Sequence, residues 1–236
     1  MVNTESPCQG ASSAPQLRPG WVEREGTTLK GGSGENVWVR VTNDSQTGAL
    51  EVAKVYSNAT LEQQPELKQM AYNEADFHLK HAGEAPSAVV PMINSHYDPE
   101  LFVMGFPYAG RPLLSFVCQP LDAASLWRNA LLGCEFVSRV VPAMRWLHGK
   151  GLVYLDFKPE QVLAQVDHQA RRLLINWVDF GSLAPRGQCC VWTDGFVPPE
   201  ALACCGDVVG INAAATEAWD AWAVGTVLMI LQCCIW

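Results

Sequence analysis

Leu152-Val-Tyr154-Leu-Asp156-Phe-Lys158-Pro-Glu-Gln161-Val-Leu163 and, further along, Val178-Asp179-Phe180-Gly181 decide the reading of this chain. Taken alone, Asp156 is a turn-forming aspartate. The Lys158-Pro159-Glu160 that follows makes it part of a site instead. Asp179-Phe180-Gly181 alone carries little weight, but at this separation the two stretches reinforce each other. Two hairpinned strands between them would bring both carboxylates to one cleft.

Further motifs surround the pair. Gly31-Gly32-Ser33-Gly34 precedes Val37 and Val39, and glycines let a backbone close over phosphates without Cβ clashes. Val52-Ala53-Lys54 sets a lysine among apolar neighbours, which is costly unless the charge is paired. Glu62, Glu66 and Glu74 are the candidate partners. Trp192-Thr193 leads to Pro198-Pro199-Glu200, and Asp220 stands alone at the head of an apolar helix. In kind and order these motifs resemble the eukaryotic-type protein kinases, in which His-Arg-Asp-Leu-Lys-Pro-Glu-Asn precedes Asp-Phe-Gly. The resemblance runs from about residue 29 to the end of the chain.

It implies an α+β, two-lobed fold: a flexible leader over 1–20, a β-rich N-lobe with one main helix over 21–104, a hinge over 105–110 and a mostly helical C-lobe over 111–236. It also implies ATP and Mg²⁺ as cofactors and a protein hydroxyl as acceptor. Carried over residue by residue, Gly32, Gly34 and Val39 cover the nucleotide, and Lys54, paired with Glu74, binds its phosphates. Met104 guards the back of the pocket, and Gly105 and Phe106 begin the hinge; Phe106 reads equally as ordinary core. Asp156 is the catalytic base, Lys158 stabilises the moving phosphoryl group, and Thr193 bonds to both. Gln161 and Asp179 hold the metal, Phe180 packs between the lobes, and Asp220 holds the backbone of the catalytic loop.

Four departures stand against the family pattern. Tyr154 and Leu155 replace its His and Arg, so a phosphate on the segment 179–200 has no arginine partner in the loop. Gln161 replaces the metal-binding asparagine, and Val37 replaces the third glycine. The chain ends at Trp236, inside the central helix, which implies an incomplete C-lobe; it reads as a fragment of a longer chain, with a partner chain covering the apolar surface as the alternative.

Elsewhere, residues 37–41 and 50–56 read as strands, 65–81 as a helix, 89–93 and 101–104 as short strands, and 126–132 and 136–148 as helical runs bent at Pro142. The apolar run 221–236 is short for a membrane span and reads as a buried helix, with a tail anchor as the alternative.

The chain has 236 residues, enough for one large domain or two lobes, and an apolar fraction of 49% marks it as globular. A net charge of -8 with no basic run argues against nucleic acid as a partner. Six of the nine cysteines fall in adjacent pairs, with no metal spacing and no secretory signal, so they read as reduced thiols in a cytoplasmic protein. Three functions compete: an active Ser/Thr-type protein kinase, a pseudokinase that serves as a nucleotide-binding or scaffold module, and a small-molecule phosphotransferase. Lys54, Glu74, Asp156, Lys158 and Asp179 favour the first; Gln161, Val37 and the truncated C-lobe favour the second. Thr193 and Pro199-Glu200 weigh against the third.

Overall fold

The computed structural model describes residues 21–30, 37–44, 47–117, 123–167, 169, 172–188, 193, 195–199 and 216–233. The leader, Gly32, Gly34, Trp192 and Glu200 lie outside the described residues.

Strand alternation organises the first lobe. Strands β1 (Trp21–Lys30), β2 (Val37–Asp44), β3 (Leu50–Ser57), β4 (Asn94–Tyr97) and β5 (Leu101–Pro107) form one sheet in the order β1-β2-β3-β5-β4. Every pairing is antiparallel. Side chains of period two separate onto its two faces. Ala53, Val55, Leu101 and Val103 cluster on one face. Tyr56, Phe102 and Met104 pack on the other against Leu61 of α1 (Asn58–Gln63) and Ala71 and Ala75 of α2 (Pro65–Lys80). Lys54 shares the alternation of Tyr56 and so faces α2. Pro65 opens α2, where its missing N–H costs nothing.

Among the described residues the second lobe is built on two helices, α3 (Ala123–Gly149) and α4 (Glu217–Cys233). Short strands lie beside them: β6 (Arg111–Pro112), β7 (Leu152–Val153), β8 (Val162–Asp167), β9 (Arg172–Trp177) and β10 (Ala184–Pro185). β8 and β9 form the hairpin between the two motifs, with β6 at its edge, and β7 pairs with β10. The core gathers Phe136, Val140, Ala143 and Leu147 of α3, Ile175 and Trp177 of β9, and Val227 and Leu231 of α4. Among the described residues no helix is long and apolar enough to cross a membrane.

Three local expectations need correction. Residues 89–93 are not a strand. Val89 makes a single parallel bridge to Trp177, and Val90 N–H donates to the Trp177 carbonyl at 3.0 Å. The run is apolar because it crosses into the main core, where Ala88 and Val89 are buried. The neighbouring edge strand is the polar β4, whose exposed side chains hide the alternation.

The two helical runs are one helix, α3, with Pro142 inside it. Burial of Phe136, Val140, Ala143, Met144 and Leu147 outweighs the ~3 kcal/mol typical of an internal proline.

The strand expected over 101–104 is longer: β5 continues through Gly105, Phe106 and Pro107, still paired with β3 from Ala53 back to Glu51. Beyond it, Gly110 has φ +112°, and a Cβ there would lie 2.2 Å from the Ala164 carbonyl oxygen. Only glycine allows that approach.

Phe136→Ala should lower unfolding stability by about 3–5 kcal/mol, as a large core truncation does. Trp127→Ala, on the same helix but 71% exposed, should change it by less than about 0.5 kcal/mol. Urea unfolding of the full chain measures both; equal effects would contradict this placement of the core.

Candidate active site

The site begins with one buried charge. Val39, Lys54 and Met104 are cross-strand neighbours on β2, β3 and β5. Lys54 Nζ donates to Glu74 Oε2 at 2.7 Å and to Asp179 Oδ1 at 2.8 Å. The other Glu74 oxygen accepts the Phe180 N–H at 3.2 Å. Glu74 is 1% exposed, whereas Asp179 is 43% exposed. Burial opposes the Lys54 charge, but Asp179 and Glu74 outweigh it and hold its pKa well above the ordinary value. Burial pushes Glu74 up, against the pull of Lys54. Burial works the same way on Asp179, but there Lys54 prevails and holds the carboxyl below its usual range.

A second cluster surrounds Asp156. Lys158 Nζ donates to Asp156 Oδ2 at 2.8 Å and to Thr193 Oγ1 at 2.9 Å. The Thr193 hydroxyl donates to Asp156 Oδ1. Gln161 Nε2 donates to Asp156 Oδ2 at 3.2 Å, while Gln161 Oε1 accepts the Lys158 N–H at 3.1 Å. Behind this cluster Asp220 is fully buried and accepts the N–H groups of Tyr154 and Leu155, each at 2.8 Å. His148 Nε2 lies 2.8 Å from the same carboxylate. Leu155 and Asp179 both adopt left-handed backbone, with φ of 68° and 69°. Such conformations persist only where surroundings impose them.

The structure thus brings together Lys54, Glu74 and Asp179, and separately Asp156, Lys158, Gln161 and Thr193. Met104 is fully buried in the packing against α2, and Phe106, two residues along the same face, is only partly buried at the end of β5.

Two contributors escaped the sequence reading. The Tyr154 hydroxyl donates to the carbonyl oxygens of Val178 and Asp179, at 3.0 and 2.5 Å. It ties the loop of one carboxylate to the backbone of the other. The available signal was a tyrosine in an apolar stretch, since a buried phenol must find a partner. His78 is the second. It is buried one helical turn after Glu74, its ring edge-on to Phe180 at 5.5 Å. Phe180 also stacks on Phe77 at 4.7 Å and meets Tyr154 at 5.6 Å. Leu155 is buried with Val153, Ala184, Val197 and Trp219.

The sequence matches the protein kinase domain family over residues 28–234. It is 31% identical over 101 residues to the putative 3-phosphoinositide-dependent protein kinase 2 of Homo sapiens, covering 39% of this chain and 22% of that protein. The same identity and length hold for human 3-phosphoinositide-dependent protein kinase 1, of which 16% is covered. A serine/threonine-protein kinase of Drosophila simulans is 33% identical over 94 residues, 39% of this chain and 12% of the relative. The matched segment therefore spans less than a quarter of each of these relatives.

Burial, with the positive charge of Lys54, lowers the His78 pKa from 6.5 to about 4. The unfolded chain takes up a proton that the folded chain refuses. The stability this confers is fully present above pH 6.5 and is lost as pH falls toward 4. Between pH 7 and 5 the loss should be about 2 kcal/mol. Urea unfolding across that range should show His78→Leu with a correspondingly flatter pH profile; an identical slope would remove His78 as the cause.

Proposed function

The chain belongs to the protein kinase domain family, and from that premise we propose that it transfers the γ-phosphoryl group of ATP to a serine or threonine hydroxyl of a protein substrate. The observation that supports this most is the joint placement of two clusters. Lys54 is held between Glu74 and Asp179, and Thr193 is bonded to both Asp156 and Lys158. In this reading Asp156 accepts the proton of the substrate hydroxyl. Lys158 presents positive charge to the group in transfer, and Thr193 keeps acid and base in register. Lys54, oriented by Glu74, binds the nucleotide phosphates. Gly32, Gly34 and Val39 close over them. Phe106, at the end of β5, borders the nucleotide pocket in front of Met104, and the connection between lobes lies at residues 108–110.

The donors offered to Mg²⁺ are the Asp179 carboxylate and the Gln161 amide oxygen. Among the described residues no cluster of three His, Cys, Asp or Glu side chains forms a standing metal site. One carboxylate and one amide suit an ion that arrives with phosphates, because magnesium is usually held by one or two carboxylates plus substrate oxygens. When bound it neutralises phosphate charge.

Gln161 favours a second reading, a pseudokinase. Its amide is already engaged at both ends, on the Lys158 N–H and on Asp156. The bonds of Thr193 to Asp156 and Lys158 weigh against a small-molecule phosphotransferase, since a protein-substrate segment would be idle there.

Lys54→Met and Asp179→Asn should each reduce phosphotransfer to a protein substrate by at least about 10²-fold, the scale of losing one well-placed electrostatic group. Gln161→Asn should raise turnover at limiting Mg²⁺. These are radiolabel-transfer measurements on folded variants, with nucleotide affinity measured alongside. Wild type and Gln161→Asn both inert while ATP still binds would establish the pseudokinase reading.

A further inference from the structure

We propose that Asn176 is a positioning residue for the nucleotide site, fastening the connection between the lobes to the strand that leads into Asp179. Its Nδ2 donates to the Ala109 carbonyl at 2.7 Å, across 67 positions of the chain. Residues 108–110 lie between β5 and β6, outside either strand. Ala109 is buried. A buried carbonyl outside a strand ladder needs another donor, and Asn176 is that donor.

Asparagine is depleted in strands, so its place in β9 itself calls for a reason. Alternation turns Ile175 and Trp177 into the core and Asn176 to the opposite face, where it meets the connection. The neighbours of Ala109 are held as well. Tyr108 N–H donates to the Leu50 carbonyl of β3 at 3.1 Å. Gly110 lies against the Ala164 carbonyl of β8 too closely for any side chain. The connection is thus tied to the first lobe at Tyr108 and to the β8–β9 hairpin at Ala109 and Gly110. The tie at Ala109 is made by a side chain, so a substitution removes it without disturbing the backbone.

The part played in nucleotide binding rests on the function proposed above. Lys54–Asp179 is a bond between the lobes that must open for Lys54 to take phosphates. The Asn176 bond lies outside that exchange, yet it starts from the same stretch of chain, three residues before Asp179. It keeps β5, with Phe106, in register with Asp179 while Lys54 changes partners.

The test reads the connection and the nucleotide separately, on the full chain. Asn176→Leu keeps the size of the side chain and removes the donor. Asn176→Asp keeps its shape and, when ionised, has no hydrogen to give. Both should speed hydrogen–deuterium exchange of the amides at 108–111 by about fivefold, the scale of one net hydrogen bond. Calorimetry should show Mg·ATP binding to Asn176→Leu about fivefold more weakly than to wild type. A role confined to stability would lower the urea midpoint and leave the affinity of the folded protein unchanged. Unchanged exchange in either variant would overturn the tie. Faster exchange with unchanged ATP affinity would overturn its part in the nucleotide site. A wild type that binds no ATP would instead overturn the nucleotide reading, and this role with it, while the exchange result still decides the tie.

Discussion

A lysine ammonium on an inner strand, 16% exposed, cannot be left alone. Lys54 sits on β3 between two other strands, and the low-dielectric surroundings make its charge costly without partners. Glu74 comes from α2 and Asp179 from the segment after β9, so one nitrogen joins three separate parts of the chain. Such pairs add little net stability, but losing one partner is expensive. Their effect is therefore positional. Glu74 extends it by accepting the Phe180 N–H, which seats the Asp-Phe-Gly backbone against α2. The approach is close: a Cβ on Gly181 would come within 3.1 Å of the Met70 carbonyl oxygen.

Asp220 does the same work for the other cluster. An acid with no exposed surface on the apolar helix α4 is tolerable because two N–H groups and His148 surround it. Those donors belong to Tyr154 and Leu155, so α4 fixes the backbone immediately before Asp156. The Tyr154 hydroxyl then reaches back to the carbonyls of Val178 and Asp179. The two carboxylates are thus held by a continuous path of buried polar contacts rather than by the lobes alone. Both left-handed residues, Leu155 and Asp179, lie on that path.

The order of motifs made the two-lobed fold legible, because charges in apolar stretches announce that partners exist. The alternation around Lys54 located β3, and the apolar periodicity over 65–81 located α2. Elsewhere hydrophobicity misled. Ala88 to Val90 are apolar because they fasten to Trp177 across the molecule, while the polar stretch Asn94–Tyr97 pairs at a sheet edge through its backbone. The two helical runs read from the pattern are one helix, with Pro142 inside it. Among candidate site residues, Lys54, Asp156 and Asp179 stood out by type and spacing, whereas Glu74 was chosen from three glutamates only by the family resemblance. The parts played by Tyr154 and His78 depend on where rings and hydroxyls meet in space, which no local pattern encodes.

The departures from the family pattern leave the geometry of both clusters in place. Tyr154 supplies a ring against Phe180 and a donor toward Asp179, so the loop stays tied without a histidine. Gln161 still bonds to Asp156 and caps the Lys158 turn. Leu155 is different in kind. An arginine there would carry a charge seeking an anion, whereas the leucine is packed with Val153, Ala184, Val197 and Trp219. That apolar cluster joins the loop before Asp156 to both described ends of the segment after Asp-Phe-Gly and to α4. Apolar contact needs no added phosphate to form, and salt does not screen it. Around Leu155 the described ends of that segment are held by burial.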